Sequence, residues 1–191
     1  MTKARLEAFS DGVIAILITI MVFDVKPPSG ADVGALQSIL PLVATYLLSF
    51  IYLGIYWNNH HHMLATAQRI NGSVLWANLH LLFWLSLLPF ATNWLRSTGF
   101  QLLPTAIYGT VLLVAALGYK ILQTRLIRVP GQCPALQEAI GNDWKGKLSI
   151  AFYVVGIAAS LVDTRISLGL YVIVALMWLV PDPRIEARIS S

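Results

Sequence analysis

Arg5-Leu6-Glu7-Ala8-Phe9-Ser10-Asp11-Gly12-Val13-Ile14-Ala15-Ile16-Leu17-Ile18-Thr19-Ile20-Met21-Val22-Phe23-Asp24 is the stretch that decides the fold. Between Asp11 and Asp24 every side chain is apolar or small apart from Thr19, so the segment has no polar face of its own. As a helix those intervening residues rise about 18 Å. A bilayer's hydrocarbon core is about 30 Å thick. A lipid-facing helix would therefore draw Asp11 or Asp24 into hydrocarbon, at about 2.5 kcal/mol or more near the centre. The segment is expected to cross a membrane while sitting inside a bundle or against water. Lys3 and Arg5 ahead of it, with Ser29-Gly30-Ala31 behind, would suit a cleaved leader. Glu7 and Asp11 do not suit one, and the segment is read as a retained helix.

The rest of the chain agrees. It is 57% hydrophobic and 12% charged, where soluble domains carry roughly 25% charged residues. Mean hydropathy is +0.71. So little polar surface cannot cover a water-facing protein of 191 residues, and the outside must meet lipid. Five further apolar segments follow, at about Ala35–Asn58, Ser73–Leu95, Leu103–Gln123, Trp144–Val162 and Ile166–Val180. The last two are short and joined only by Asp163-Thr164-Arg165, which implies a tight helical hairpin. The expected fold is all-α: one domain over residues 1–191, a bundle of six transmembrane helices. A turn of interfacial helix is expected over Pro134–Ile140.

Basic residues set the orientation. With six spans, one side holds Lys3, Arg5, Arg69, Lys120, Arg125, Arg128, Lys145, Lys147, Arg184 and Arg188, and the other holds Lys26, Arg96 and Arg165. Ten against three, out of 13, puts both termini in the cytoplasm of a multi-pass protein of the cell (inner) membrane. The net charge of +4 forms no patch or stripe, so nucleic acid is not the expected partner. Cys133 is the sole cysteine and can form no intrachain disulfide.

Within the first helix Ile16, Thr19, Ile20 and Phe23 follow i, i+3, i+4 and i+7 and share a face. Ser10 and Asp11 point elsewhere, about 120° and 140° from Ile16. Periodicity leaves two readings of the stripe open. It is either ordinary bundle core or the lining of a path, where apolar constrictions gate by dewetting.

Arg5, followed after three residues by Phe9-Ser10-Asp11, and then Ala15, Ile16 and Thr19, closely resembles the signature of the transmembrane protein 175 family. These are endosomal and lysosomal potassium channels with prokaryotic relatives. Trp57-Asn58-Asn59-His60-His61 and Asn78–Pro89 resemble it more weakly. The resemblance implies a passive, potassium-preferring cation channel, with no Thr-Val-Gly-Tyr-Gly filter, in which a single six-helix repeat assembles as a homotetramer. The first helices would line the pore, with Ile16 as the narrow ring, Thr19 as a polar layer and Phe23 or Ile20 as an outer constriction. Phe23 stands where the family more often has leucine. Arg5, Phe9, Ser10 and Asp11 would tie the helix to its neighbours, with Trp57 and His61 as partners from the second helix. Asp24 could form an acidic outer mouth that concentrates cations. Membrane lipid and monovalent cations are the implied partners, and permeant K+ replaces any cofactor.

Other patterns carry less. His60-His61-His62 and His80 cannot converge as consecutive helical ligands, since neighbours point about 100° apart, so no metal site is expected. Gly-x-Ser-x-Gly is absent and no enzyme is expected. A small proton- or ion-coupled transporter using Asp11 and His61 is the alternative function. Gly109, Gly118, Gly156 and Gly169 suggest close helix packing.

Overall fold

The computed structural model describes residues 2–131 and 143–179. Cys133, the turn expected over Pro134–Ile140, and Arg184 and Arg188 lie outside them. Every regular element among the described residues is helical. In chain order they are α1 Lys3–Phe23, α2 Val33–Ser38, α3 Leu40–Thr66, α4 Gly72–Ser86, α5 Leu88–Ser97, α6 Leu102–Ile127, α7 Trp144–Ala159 and α8 Thr164–Leu179.

Among the described residues four stretches are long and apolar enough to cross a bilayer: Lys3–Phe23, Leu40–Thr66, Gly72–Ser97 and Leu102–Ile127. The third joins α4 and α5 across Leu87. Pro89 sits in the first turn of α5, and with no N–H to give it leaves the α4 ladder unfinished. The fifth and sixth apolar segments form the helices α7 and α8. Each has 16 residues, a rise of about 24 Å that falls short of a full core. The turn between them is closed by Asp163, whose carboxylate accepts from the Arg165 amide at 2.8 Å.

The second apolar segment differs from expectation at both ends. Its start is a separate helix, α2, which Asp32 caps by accepting from the Ala35 amide at 2.7 Å. Pro41 then opens α3, the position where proline's missing N–H costs nothing. At the far end α3 runs past Asn58 to Thr66 and takes His60, His61 and His62 into the helix.

α1 packs on α3 and α4, α4 on α6, α6 on α7, and α7 on α8, while α8 returns to α3. Two glycines seat one tyrosine. A methyl at Gly109 would fall on the Tyr171 hydroxyl, and one at Gly156 would lie 2.6 Å from the same ring. Gly118 lets α6 approach Leu81 of α4, where an added Cβ would stand 3.3 Å from Cα. A Cβ added at Gly169 would meet no described residue within 4 Å, so the close packing expected there is not made among the described residues of this chain. Buried hydroxyls stitch the same region together. Ser49 bonds to Thr92 at 2.7 Å and to Tyr108 at 3.0 Å, and the Tyr52 hydroxyl donates to the Tyr171 carbonyl. In an apolar bundle such groups need each other, because lipid offers no partner.

Candidate functional site

α1 has two unlike faces. Leu6, Ser10, Ile14, Leu17 and Met21 are buried against the bundle. Ala8, Phe9, Gly12, Ala15, Ile16, Thr19, Ile20 and Phe23 are exposed along the opposite side. Ile16 is 57% exposed, Ile20 48% and Phe23 82%. The stripe is therefore not core of the single chain, and that reading of the periodicity is set aside. Spacing explains the outcome: the buried set also follows a helical repeat, at i, i+4, i+8, i+11 and i+15 from Leu6, and a helix apolar on most sides can bury either one.

The buried face is held by a polar chain. The Ser10 hydroxyl donates to the Leu6 carbonyl at 2.8 Å. Its proton is thereby spent, and its oxygen accepts from Asn78 Nδ2 at 2.9 Å. That fixes the amide, so Asn78 Oδ1 faces His60 Nε2 at 2.7 Å. Oδ1 can only accept, hence the His60 proton sits on Nε2. His60 Nδ1 is left buried with no hydrogen-bond partner among the described residues. Ser10, His60 and Asn78 are all buried, so this chain links α1, α4 and α3 out of reach of water.

A second link lies nearer the surface. Trp57 Nε1 donates to Asp11 Oδ1 at 3.0 Å. His61 stacks on the Trp57 indole, with centroids 6.4 Å apart. Sequence reasoning paired His61 with the motif. Through hydrogen bonds it is His60 that reaches Ser10, by way of Asn78, while His61 supports Trp57. Trp57, His60 and His61 stand at i, i+3 and i+4, so one face carries all three. That spacing was the available signal for His60. The signal for Asn78 was weaker: a lone amide within an apolar helix, which needs a partner.

The remaining predicted residues are spread along the helix. Arg5 is exposed and makes no hydrogen bond or ion pair with a described residue. It does not bridge to Asp11 within the chain. Phe9 is 48% exposed beside it. The end of α1 is instead fastened by Lys3, whose amine donates to the Ala65 carbonyl at 2.8 Å and stands 3.9 Å from Glu7. At the opposite end Asp24 caps α1. Arg96, bonded to Asn93 at 2.6 Å, approaches the Asp24 carbonyl at 3.5 Å and places a cation where the helix dipole favours one. Thr19 turns its hydroxyl back along the helix, donating toward the carbonyls of Ile16 at 2.9 Å and Ala15 at 3.0 Å. Among the described residues no group of three or more His, Cys, Asp or Glu side chains could hold a metal ion.

Comparison with known proteins gives the same picture at larger scale. The family described as endosomal/lysosomal potassium channel TMEM175 matches residues 5–89, which include every residue of both links. A protein of Chryseobacterium sp. named as a potassium channel is 55% identical over 191 residues, covering all of both chains. One from Streptomyces collinus, also named as a potassium channel, is 34% identical over 134 residues, covering 66% of this chain and 65% of its own. The crystal structure of a lysosomal potassium-selective channel TMEM175 homolog from Chamaesiphon minutus superposes with a TM-score of 0.79. That likeness has 25% identity and covers 93% of this chain and 96% of the other. A full-length relative more than half identical, a matching fold and the motif set on α1 lead to one conclusion: this chain is a multi-pass membrane protein that belongs to the TMEM175 family.

Proposed function

We propose that this protein is a passive, potassium-preferring cation channel of the cell (inner) membrane. The whole chain acts as one channel domain with both termini in the cytoplasm, and copies of α1 line the pore. The observation that carries the reading is the bare stripe Phe9–Gly12–Ile16–Thr19–Ile20–Phe23, exposed on a helix whose other face is bonded into the bundle. One stripe cannot enclose a path, and several copies around an axis can. Four is the number that the family resemblance implies, and potassium is the ion in the names of the bacterial relatives, where the vertebrate relatives are named as proton channels.

In that arrangement the Ile16 side chains form a ring without a ligand for a cation. A narrow apolar ring excludes water, and ions with it, until the helices rotate or splay. Thr19 lies one turn further along. Its proton is engaged by backbone carbonyls, so its oxygen keeps lone pairs for a partly dehydrated cation. Ile20 or Phe23 makes the outer constriction, and Asp24 at the mouth concentrates cations, its charge offset in part by Arg96. The Ser10–Asn78–His60 and Asp11–Trp57 links hold the opposite face and so fix which side chains point at the axis.

The test is potassium and sodium flux from liposomes holding the purified protein, wild type beside Ile16→Asn. A polar ring wets more easily, so flux present in the wild type rises in the variant. No flux in either protein, with insertion and folding verified, would contradict the channel. Saturable exchange that is lost in Asp11→Asn would favour a coupled transporter.

A further inference from the structure

On the side of the bundle away from α1, a crevice opens between α3, α6, α7 and α8. Tyr52, Tyr56, Tyr119, Tyr153, Ile150 and Trp178 make most of its wall. Its floor at Tyr52 and Tyr153 is buried, and its rim at Lys120 is exposed. From Asn59 at the mouth to Tyr52 at the floor, α3 rises about 10 Å. An apolar slot of that depth suits a chain of several methylene groups. The Tyr56 hydroxyl lines it and makes no hydrogen bond with a described residue.

Charge at the rim selects the head that such a chain would carry. The Lys120 amine forms no hydrogen bond or ion pair with a described residue, and Lys147 is exposed one turn into α7. Arg69, Arg125 and Arg128 belong to the same end of the bundle by chain order. The rim carboxylate, Asp143, is already engaged as the α7 cap, accepting from the Gly146 amide at 2.8 Å. An organic cation would find the indole taken, because the Lys145 amine stands 5.9 Å above the Trp178 ring. An anion finds a free ammonium.

We propose that this crevice binds one acyl chain of an anionic phospholipid, with the phosphate against Lys120 and the chain laid between Tyr56, Ile150, Tyr153 and Trp178. The site is separate from the α1 stripe, and its test does not depend on ion conduction.

The full chain is reconstituted in phosphatidylcholine vesicles doped with phosphatidylglycerol or phosphatidylcholine brominated along the acyl chain. Tryptophan fluorescence is then read. Trp178→Phe isolates the contribution of the crevice indole. The expected result is that brominated phosphatidylglycerol quenches the Trp178 component at about one fifth of the mole fraction that brominated phosphatidylcholine needs, the worth of one interfacial lysine. Lys120→Gln, an exposed change that leaves the fold alone, should erase that difference and leave the phosphatidylcholine curve in place. Ile150→Phe, which narrows the slot, should lower the number of phosphatidylglycerol molecules that mass spectrometry finds retained after detergent extraction. Three results would overturn the proposal: equal quenching of Trp178 by both lipids in the wild type, a lipid preference that survives Lys120→Gln, or lipid retention unchanged in Ile150→Phe.

Discussion

The two faces of α1 divide the work of one helix. The buried face carries Ser10 in a hydrogen-bonded chain that runs to Asn78 on α4 and on to His60 on α3. The exposed face carries Ile16, Ile20 and Phe23, each left about half open or more by its own chain. Polar groups inside the bundle and large apolar groups outside it is the reverse of a water-soluble helix. In lipid each arrangement has a cause. Hydrogen bonds have no competing water there and hold helices in register. An apolar face needs no cover from its own chain and is available to a second copy. Fixing one side of the helix is what determines the direction of the other.

The contrast can be broken most strongly from the buried side. Asn78→Leu removes the amide that serves both Ser10 and His60; it leaves the buried His60 Nε2–H without its acceptor and takes the donor from the Ser10 oxygen. The expected loss is about 2–4 kcal/mol of stability, read as a lower unfolding midpoint in detergent. Little change would mean that the chain of hydrogen bonds does not hold α1.

A packing pair sharpens the comparison away from the helix. Gly109→Ala forces a methyl onto the Tyr171 hydroxyl, and overpacking of this kind costs about 1–3 kcal/mol. Gly169→Ala meets open space and should be neutral, or stabilise by up to about 1 kcal/mol through helix propensity. Thermal unfolding of the two variants side by side separates the tyrosine seat from a general intolerance of side chains.

From the exposed side, Ile16→Asn should leave the unfolding midpoint in place and raise potassium flux about tenfold, the equivalent of about 1.4 kcal/mol off the barrier. A drop in stability with no gain in flux would assign Ile16 to packing.

The smallest effect is expected at the outer link. Trp57→Phe keeps the ring that His61 stacks on and loses the bond to Asp11. In a half-exposed position that bond contributes about 1 kcal/mol or less. A larger loss would place Asp11 in a drier setting than its exposure implies.

Much of this was legible from residue order. Asp11 and Asp24, too close together for a lipid-facing span, marked α1 as unusual. The family motif named Ser10, Asp11 and Trp57, and Asp11 does meet Trp57. Which histidine follows was not legible. His60 and His61 are neighbours about 100° apart on one helix, and the choice depends on where α4 places Asn78, a tertiary matter. The start of α2 was missed because Asp32 acts as a cap only once Ala35 turns into the helix. The end of α3 was set too early because three histidines read as a polar boundary, although helical backbone bonding continues through them to Thr66. Gly169 was grouped with Gly109 and Gly156 by residue type. Only the position of Tyr171 tells them apart.

The central claim is that the bare stripe of α1 faces a water-filled path shared between copies of the chain. In a Cys133→Ser background, Phe23→Cys is treated with a charged, water-borne methanethiosulfonate reagent while potassium flux is recorded, and Val172→Cys on the outer side of α8 serves as the control. The account predicts that modification at position 23 changes flux sharply, while position 172 is silent. Flux unchanged after modification at position 23, with labelling verified by mass, would contradict it.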